Sequence, residues 1–197
     1  MSNAPEIKSE SFEWISVEEA ARIMAGDEIS LLDSHKGFLC EGDLPFRPPQ
    51  TYGTIIIWPP VDIHPGAIIG DYVVIGRYTN ICGDITIGER TRIQGFCFIP
   101  DSVKIGKRVF IGPNVVFTNI KYPKIRNNLM KQRDGVTVIE DDVSIGAGAV
   151  ICPGVRIGSR TLIGAGATVT KDIPPDVVVT GTPARIFKHL KGGAYGD

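Results

Sequence analysis

From Ile57 to Phe117 every sixth residue is a bulky apolar side chain, at 57, 63, 69, 75, 81, 87, 93, 99, 105, 111 and 117. The pattern resumes at Ile139, Ile145, Ile151, Ile157, Ile163 and Val169, and fifteen of these seventeen residues are isoleucine. Neither a helix nor an ordinary sheet requires a strict period of six. A parallel β-helix does, because short strands and turns alternate around a triangular coil. The residue two before each isoleucine shares its inward face. Those positions hold small or β-branched residues, from Ala67, Val73 and Thr79 through Ala149, Thr161 and Ala167. Glycine most often follows the isoleucine, at 70, 76, 88, 106, 112, 146, 158 and 164. A sharp corner with no Cβ in the way is the expected reason. Three hexads close one coil of about 18 residues, so the chain predicts roughly six coils stacked about 4.8 Å apart. Hairpins or a jelly roll would not hold one period over eleven consecutive units.

At 197 residues the chain is long enough for one domain with an appendage. Its net charge of −1 provides no field to recruit nucleic acid or a membrane. It has no apolar run of about 18 residues and no signal-peptide pattern, so a soluble, cytoplasmic protein is expected. The four cysteines (40, 82, 97, 152) form no C-x-x-C pair. They are expected as reduced packing residues, neither metal ligands nor disulfides. Residues 1–56 ignore the repeat. Ser16-Val17-Glu18-Glu19 is a capping box that predicts a short helix to about Met24, stopped by Gly26. This segment is expected to cap the open edge of the coil, with substrate binding as the other role. The coil itself is expected over 57–185, followed by a C-terminal tail over 186–197.

Between Phe117 and Ile139 lie 21 residues that break the period. Residues 118–138 therefore read as a loop extruded from one corner. Lys121, Lys124, Arg126, Lys131 and Arg133 place five cations in thirteen residues of a nearly neutral chain. Such a cluster suits a diphosphate, and a solvated surface loop is the alternative. Long loops on rigid scaffolds tend to carry function.

The hexads, loop and tail together resemble the hexapeptide-repeat acyltransferases, whose coil is a left-handed parallel β-helix. Gly112-Pro113-Asn114-Val115-Val116-Phe117-Thr118-Asn119, then Tyr122-Pro123, looks like the branch that acetylates amino groups of nucleotide-linked sugars, as does Ile93-Gln94. The coenzyme A end of the superfamily is matched by Ile145-Gly146-Ala147-Gly148-Ala149 and Ile163-Gly164-Ala165-Gly166-Ala167. Lys171-Asp172-Ile173-Pro174-Pro175 and Gly181 with Pro183-Ala184-Arg185 continue that match. The resemblance implies acetyl-CoA as donor, a nucleotide-linked amino sugar as acceptor and a homotrimer with sites between subunits. It implies Asn119 and Gln94 as catalytic candidates. Ala147, Gly148, Ala165 and Gly166 would bed a pantetheine arm, with Lys171 and Arg185 as partners for its phosphates. Tyr122, Lys124 and Arg126 would hold the acceptor.

Acyl transfer needs a nucleophile, a base and donors for the developing oxyanion. Relatives that acetylate hydroxyls carry a catalytic histidine on the loop or an adjacent corner. This chain has only His35, His64 and His189, none in the loop. A neutral amine attacks without such a base, so N-acylation is favoured over O-acylation. Asn119 could orient the amine through its carbonyl or the thioester through its NH₂, or serve only as a turn residue. A carbonic anhydrase on the same coil would need three histidines around zinc, and only His64 lies in the coils, so no metal is expected. A sugar O-acetyltransferase and a non-catalytic assembly subunit are the competing readings.

Overall fold

The computed structural model describes residues 50–52, 54–83, 85–123 and 134–190. The helix expected near residues 16–24, together with His35 and Cys40, lies outside them. None of the described residues is helical. Strands of two to five residues wind around three faces. The first face is a nine-stranded sheet that includes Ile55–Ile57, Val74–Ile75 and Arg92–Ile93. The second has six strands, from Asp62–Ile63 to Thr168–Val169, and the third has five, from Ile68–Ile69 to Arg156–Ile157.

Pairing between successive coils is parallel, with Ile57 opposite Ile75, Ile75 opposite Ile93 and Ile93 opposite Ile111. Residues 18 positions apart are thus vertical neighbours, and six coils result. On the third face Lys104 pairs with Thr86 on one side and Val138 on the other. The second step is 34 residues, so the excursion inserts 16 residues without disturbing the stack. The interior column of Ile75, Ile93, Ile111, Ile145 and Ile163 is at most 1% exposed. Each such side chain contributes about 1.5–3 kcal/mol by leaving water. Polar residues enter the core only where they have work to do. Thr79, Thr91 and Thr161 donate to the carbonyls of Gln94, Gly106 and Pro174 in the next coil, at 3.1, 2.9 and 2.9 Å. Cys97 is buried and its Sγ lies 3.2 Å from the carbonyls of Gln94 and Gly112. Among the described residues Cys82, Cys97 and Cys152 are free thiols.

The glycines after the isoleucines serve a different purpose from the one their sequence suggested. The left-handed corner residue sits three positions after the apolar residue, and ten non-glycine residues occupy such positions, among them Tyr78, Phe96 and Asn114. Glycine one position after is required by close approach instead. A Cβ on Gly76 would lie 2.4 Å from the amide of Gly95, and one on Gly146 2.5 Å from that of Ala165. Neighbouring coils pass too closely there for any side chain.

Between third and first faces the corner residues form a ladder of ion pairs. Arg108 clasps Asp142 through two contacts of 2.6 and 2.9 Å, and Arg160 clasps Asp176 at 2.6 and 2.7 Å. These guanidinium hydrogen bonds hold both carboxyls below the usual carboxylate range. Antiparallel strands finish the first face at both ends: Gln50–Tyr52 on Ile55–Ile57, and Arg185–His189 on Val177–Thr180. Part of the expected tail is therefore a terminal strand.

Candidate active site

The corner from second face to third differs from the other two. Its close-approach positions are His64, Cys82, Pro100, Thr118, Cys152 and Thr170, with no glycine among them. Side chains fit there, and it is the corner from which the loop leaves. The loop's base is closed by Asp134, whose amide donates to the Asn119 carbonyl at 3.1 Å. Its carboxylate accepts the Lys121 amide at 2.6 Å. Tyr122 is 67% exposed with the Lys121 ammonium 5.6 Å above its ring. Lys124 and Arg126 lie outside the described residues.

Asn119 is partly buried, and its Nδ2 donates to Asp101 Oδ1 at 2.9 Å. Two coils below, Asn80 links Asp62, 3.2 Å from its Nδ2, to the Cys82 thiol, 2.7 Å from its Oδ1. Burial, then the charges of Asp62 and Asp101, push the Cys82 thiol up. It stays protonated at neutral pH and is no nucleophile. His64 accepts the Gly66 amide on Nδ1 at 3.1 Å.

The first-to-second corner carries a column of left-handed residues: Tyr78, Phe96, Asn114, Gly148 and Gly166. Tyr78 and Phe96 stack with centroids 4.9 Å apart, yet stay 54% and 57% exposed. Above them the corner becomes bare. A Cβ on Gly148 or Gly166 would meet nothing within 4 Å, and Ala147 and Ala165 are exposed beside them. A slender chain with amide groups, such as pantetheine, fits this strip, and bulkier side chains would fill it. Arg185 pairs across from Thr180, whose methyl lies over Gly164, and its guanidinium donates to the Ala184 carbonyl at 2.9 Å.

Two sets of candidate residues stand apart within one chain. Gln94 follows Ile93 and therefore stands on the glycine-alanine corner, while Asn119 stands on the loop corner of the next coil. Lys171 shares the Asn119 column, across the second face from Ala165 and Gly166. Sequence reading missed Asp101 and the Tyr78–Phe96 stack. The signal for Asp101 was its 18-residue offset from Asn119. A groove of about 790 Å³ on the third face, lined by Lys104, Arg108, Glu140, Asp142 and Arg160, touches none of these residues. Five of its six charged residues, Asp141 among them, are engaged in ion pairs.

Among the described residues no cluster of three or more His, Cys, Asp or Glu is arranged to hold a metal, and no helix is long and apolar enough to cross a membrane.

The family model "Bacterial transferase hexapeptide (six repeats)" matches residues 66–101, 84–119 and 137–171. The chain is 44% identical over 94 residues to the galactoside O-acetyltransferase of Lactococcus lactis, covering 46% of this chain and 45% of that protein. It spans from about a third to a little under half the length of the curated relatives it matches. A hexapeptide-repeat-containing acetyltransferase of Vibrio cholerae, solved with acetyl-CoA, is 35% identical with a TM-score of 0.56. That match covers 64% of this chain and 72% of the other. The PerB protein of Caulobacter crescentus, solved with CoA and GDP-perosamine, is 25% identical at a TM-score of 0.59, covering 68% and 57%. With its repeat, its parallel coil and these matches, the chain belongs to the hexapeptide-repeat acyltransferase superfamily.

Proposed function

We propose that this chain transfers an acetyl group from acetyl-CoA to the amino group of a nucleotide-linked amino sugar. One observation carries the reading: where the loop leaves, the corner presents the carboxamide of Asn119, and among the described residues its one imidazole, His64, stands three coils away. The sequence holds no histidine between His64 and His189. His64 lies three coils from Thr118, about 14 Å at the spacing of paired strands. A hydroxyl acceptor would need a base at this corner, whereas a neutral amine does not. The amine nitrogen attacks the thioester carbon, a C–N bond forms as the C–S bond breaks, and the proton that the nitrogen sheds balances the departing coenzyme A thiolate, released as the free thiol. Asn119 orients the amine. The strip of Ala147, Gly148, Ala165 and Gly166 supports the donor's pantetheine arm, with Arg185 and Lys171 as partners for its phosphates. Lys124, Arg126 and Tyr122 hold the acceptor's nucleotide end, and Gln94 assists from its own corner. The V. cholerae and C. crescentus structures support the donor and the nucleotide-sugar class respectively, through the ligands they were solved with.

The L. lactis relative favours a second reading, O-acetylation of a sugar. A thiol-release assay with acetyl-CoA separates the two. Turnover is expected with members of a panel of nucleotide-linked amino sugars and none with galactosides. Turnover of galactosides alone would overturn the proposal. Absence of any coenzyme A thermal shift would favour a non-catalytic assembly subunit.

A further inference from the structure

The side chain of Asn119 has two edges, and they would do opposite chemistry at an acyl-transfer site. Its NH₂ would donate to a thioester oxygen, and its carbonyl would accept from an amine. The neighbour that decides between them comes from the coil below. Asp101 stands two residues after Ile99, as Asn119 stands two after Phe117, so the pair is stacked on one corner in adjacent coils. The Nδ2-to-Oδ1 contact is 2.9 Å and partly buried. A carboxylate can only accept, so the edge facing Asp101 must be the NH₂. The usual ambiguity between amide nitrogen and oxygen is therefore settled by chemistry.

The space for Asp101 is provided from the coil below. Directly beneath it Gly83 has φ of +65°, and a Cβ there would come within 2.9 Å of the Asp101 Cβ. Glycine at 83 leaves the space in which the Asp101 side chain stands. The negative charge of Asp101 also reaches this corner, since it helps to raise the Cys82 thiol.

We propose that Asp101 is a positioning residue that anchors the NH₂ of Asn119 and turns its carbonyl oxygen outward, making Asn119 an acceptor for the incoming amine and no oxyanion donor. The proposal rests on the reading that Asn119 meets the acceptor. Hydrogen bonding to the carboxylate polarises the carboxamide and makes its oxygen a better acceptor. The same partly buried charge favours the cationic nitrogen that forms as the amine attacks.

The test is a double-mutant cycle on the full chain with acetyl-CoA and the nucleotide-linked amino sugar that the wild type turns over best. Asp101→Ala should lower kcat by about ten-fold or more, the loss expected for a charge-assisted hydrogen bond, with the acetyl-CoA KM unchanged. In an Asn119→Ala background the same substitution should change kcat by less than about two-fold, because its route has been removed. Asp101→Asn, which keeps the size but lets either edge face Asn119, should lie between and covers the case in which the alanine variant does not fold. Losses that multiply in the double mutant, or full activity of Asp101→Ala beside an impaired Asn119→Ala, would overturn the positioning role alone. Full activity of Asn119→Ala would overturn the reading beneath it. One arm does not depend on activity. The ¹⁵N side-chain amide signal that Asn119→Ala abolishes should shift in Asp101→Asn while backbone signals of the other faces stay in place; an unmoved signal would remove the contact itself.

Discussion

Gly146 and Gly148 lie two residues apart on one corner, and the structure assigns them opposite duties. A Cβ on Gly146 would lie 2.5 Å from the amide nitrogen of Ala165 and 2.9 Å from its Cα. Both are backbone atoms of the next coil, so no rotamer change relieves the clash. Overpacking of this kind costs about 1–3 kcal/mol, and the upper end applies when backbone must move. Gly148 has φ of +66° and open space at its Cβ position. Alanine there carries only the left-handed penalty of about 1–2 kcal/mol. Asn114 takes the same turn with a side chain at +58°, so the fold accommodates it. For a chain of this size each kcal/mol shifts Tm by about 2–4 °C. Gly148→Ala should therefore lower Tm by about 2–8 °C, and Gly146→Ala by clearly more. The kinetics should rank the other way. The methyl of Gly148→Ala enters the strip proposed for the pantetheine arm, so the acetyl-CoA KM should rise about ten-fold with the acceptor KM unmoved. Thermal scanning and thiol-release kinetics on the two purified variants decide the matter. An unchanged acetyl-CoA KM in Gly148→Ala would remove the donor from this corner. A larger Tm loss in Gly148→Ala than in Gly146→Ala would refute the close-approach argument.

Three further outcomes are expected. Light scattering should give a trimer of about 64 kDa, three times the 21.3 kDa chain, and a clean monomer would remove any intersubunit site. Neutralising Lys124 and Arg126 together should raise the acceptor KM about ten-fold with a smaller change in kcat, less so at high salt; an unmoved KM with altered mass would reassign the loop to assembly. Arg108, hydrogen-bonded to Asp142, holds that carboxyl below its usual range. The folded pKa is the lower one, so the pair stabilises above about pH 4 and the contribution is lost as pH falls through the folded value. Asp142→Asn should accordingly flatten the acid limb of the Tm–pH curve, and an unchanged limb would refute the linkage.

The coil was legible because its interior admits one kind of side chain at every sixth position. A solenoid core is a column of identical cross-sections, so the constraint repeats and shows in a single sequence. The meaning of its glycines was not legible. Glycine can answer either a positive φ or a lack of space, and only the stacked coils reveal that Gly76 and Gly146 answer the second. Contacts between coils were equally hidden. Asp101 and Asn119 are neighbours only once residues 18 apart are placed one above the other, and neither position departs from ordinary corner composition.

The same stacking rearranges the candidate site. Counting hexads along the chain placed Gln94, Asn119, Lys171 and the glycine-alanine strip in one list, but a triangular coil sorts them by corner. Gln94, Ala147, Gly148, Ala165, Gly166 and Arg185 fall at one edge of the second face, and Asn119 and Lys171 at the other. The two edges are separated by the strand and turn of one hexad, about 15–20 Å at the rise of extended chain. A single amine cannot touch both. An intersubunit site, with the donor strip of one chain facing Asn119 of another, would bring the two together, and the light-scattering measurement tests that arrangement.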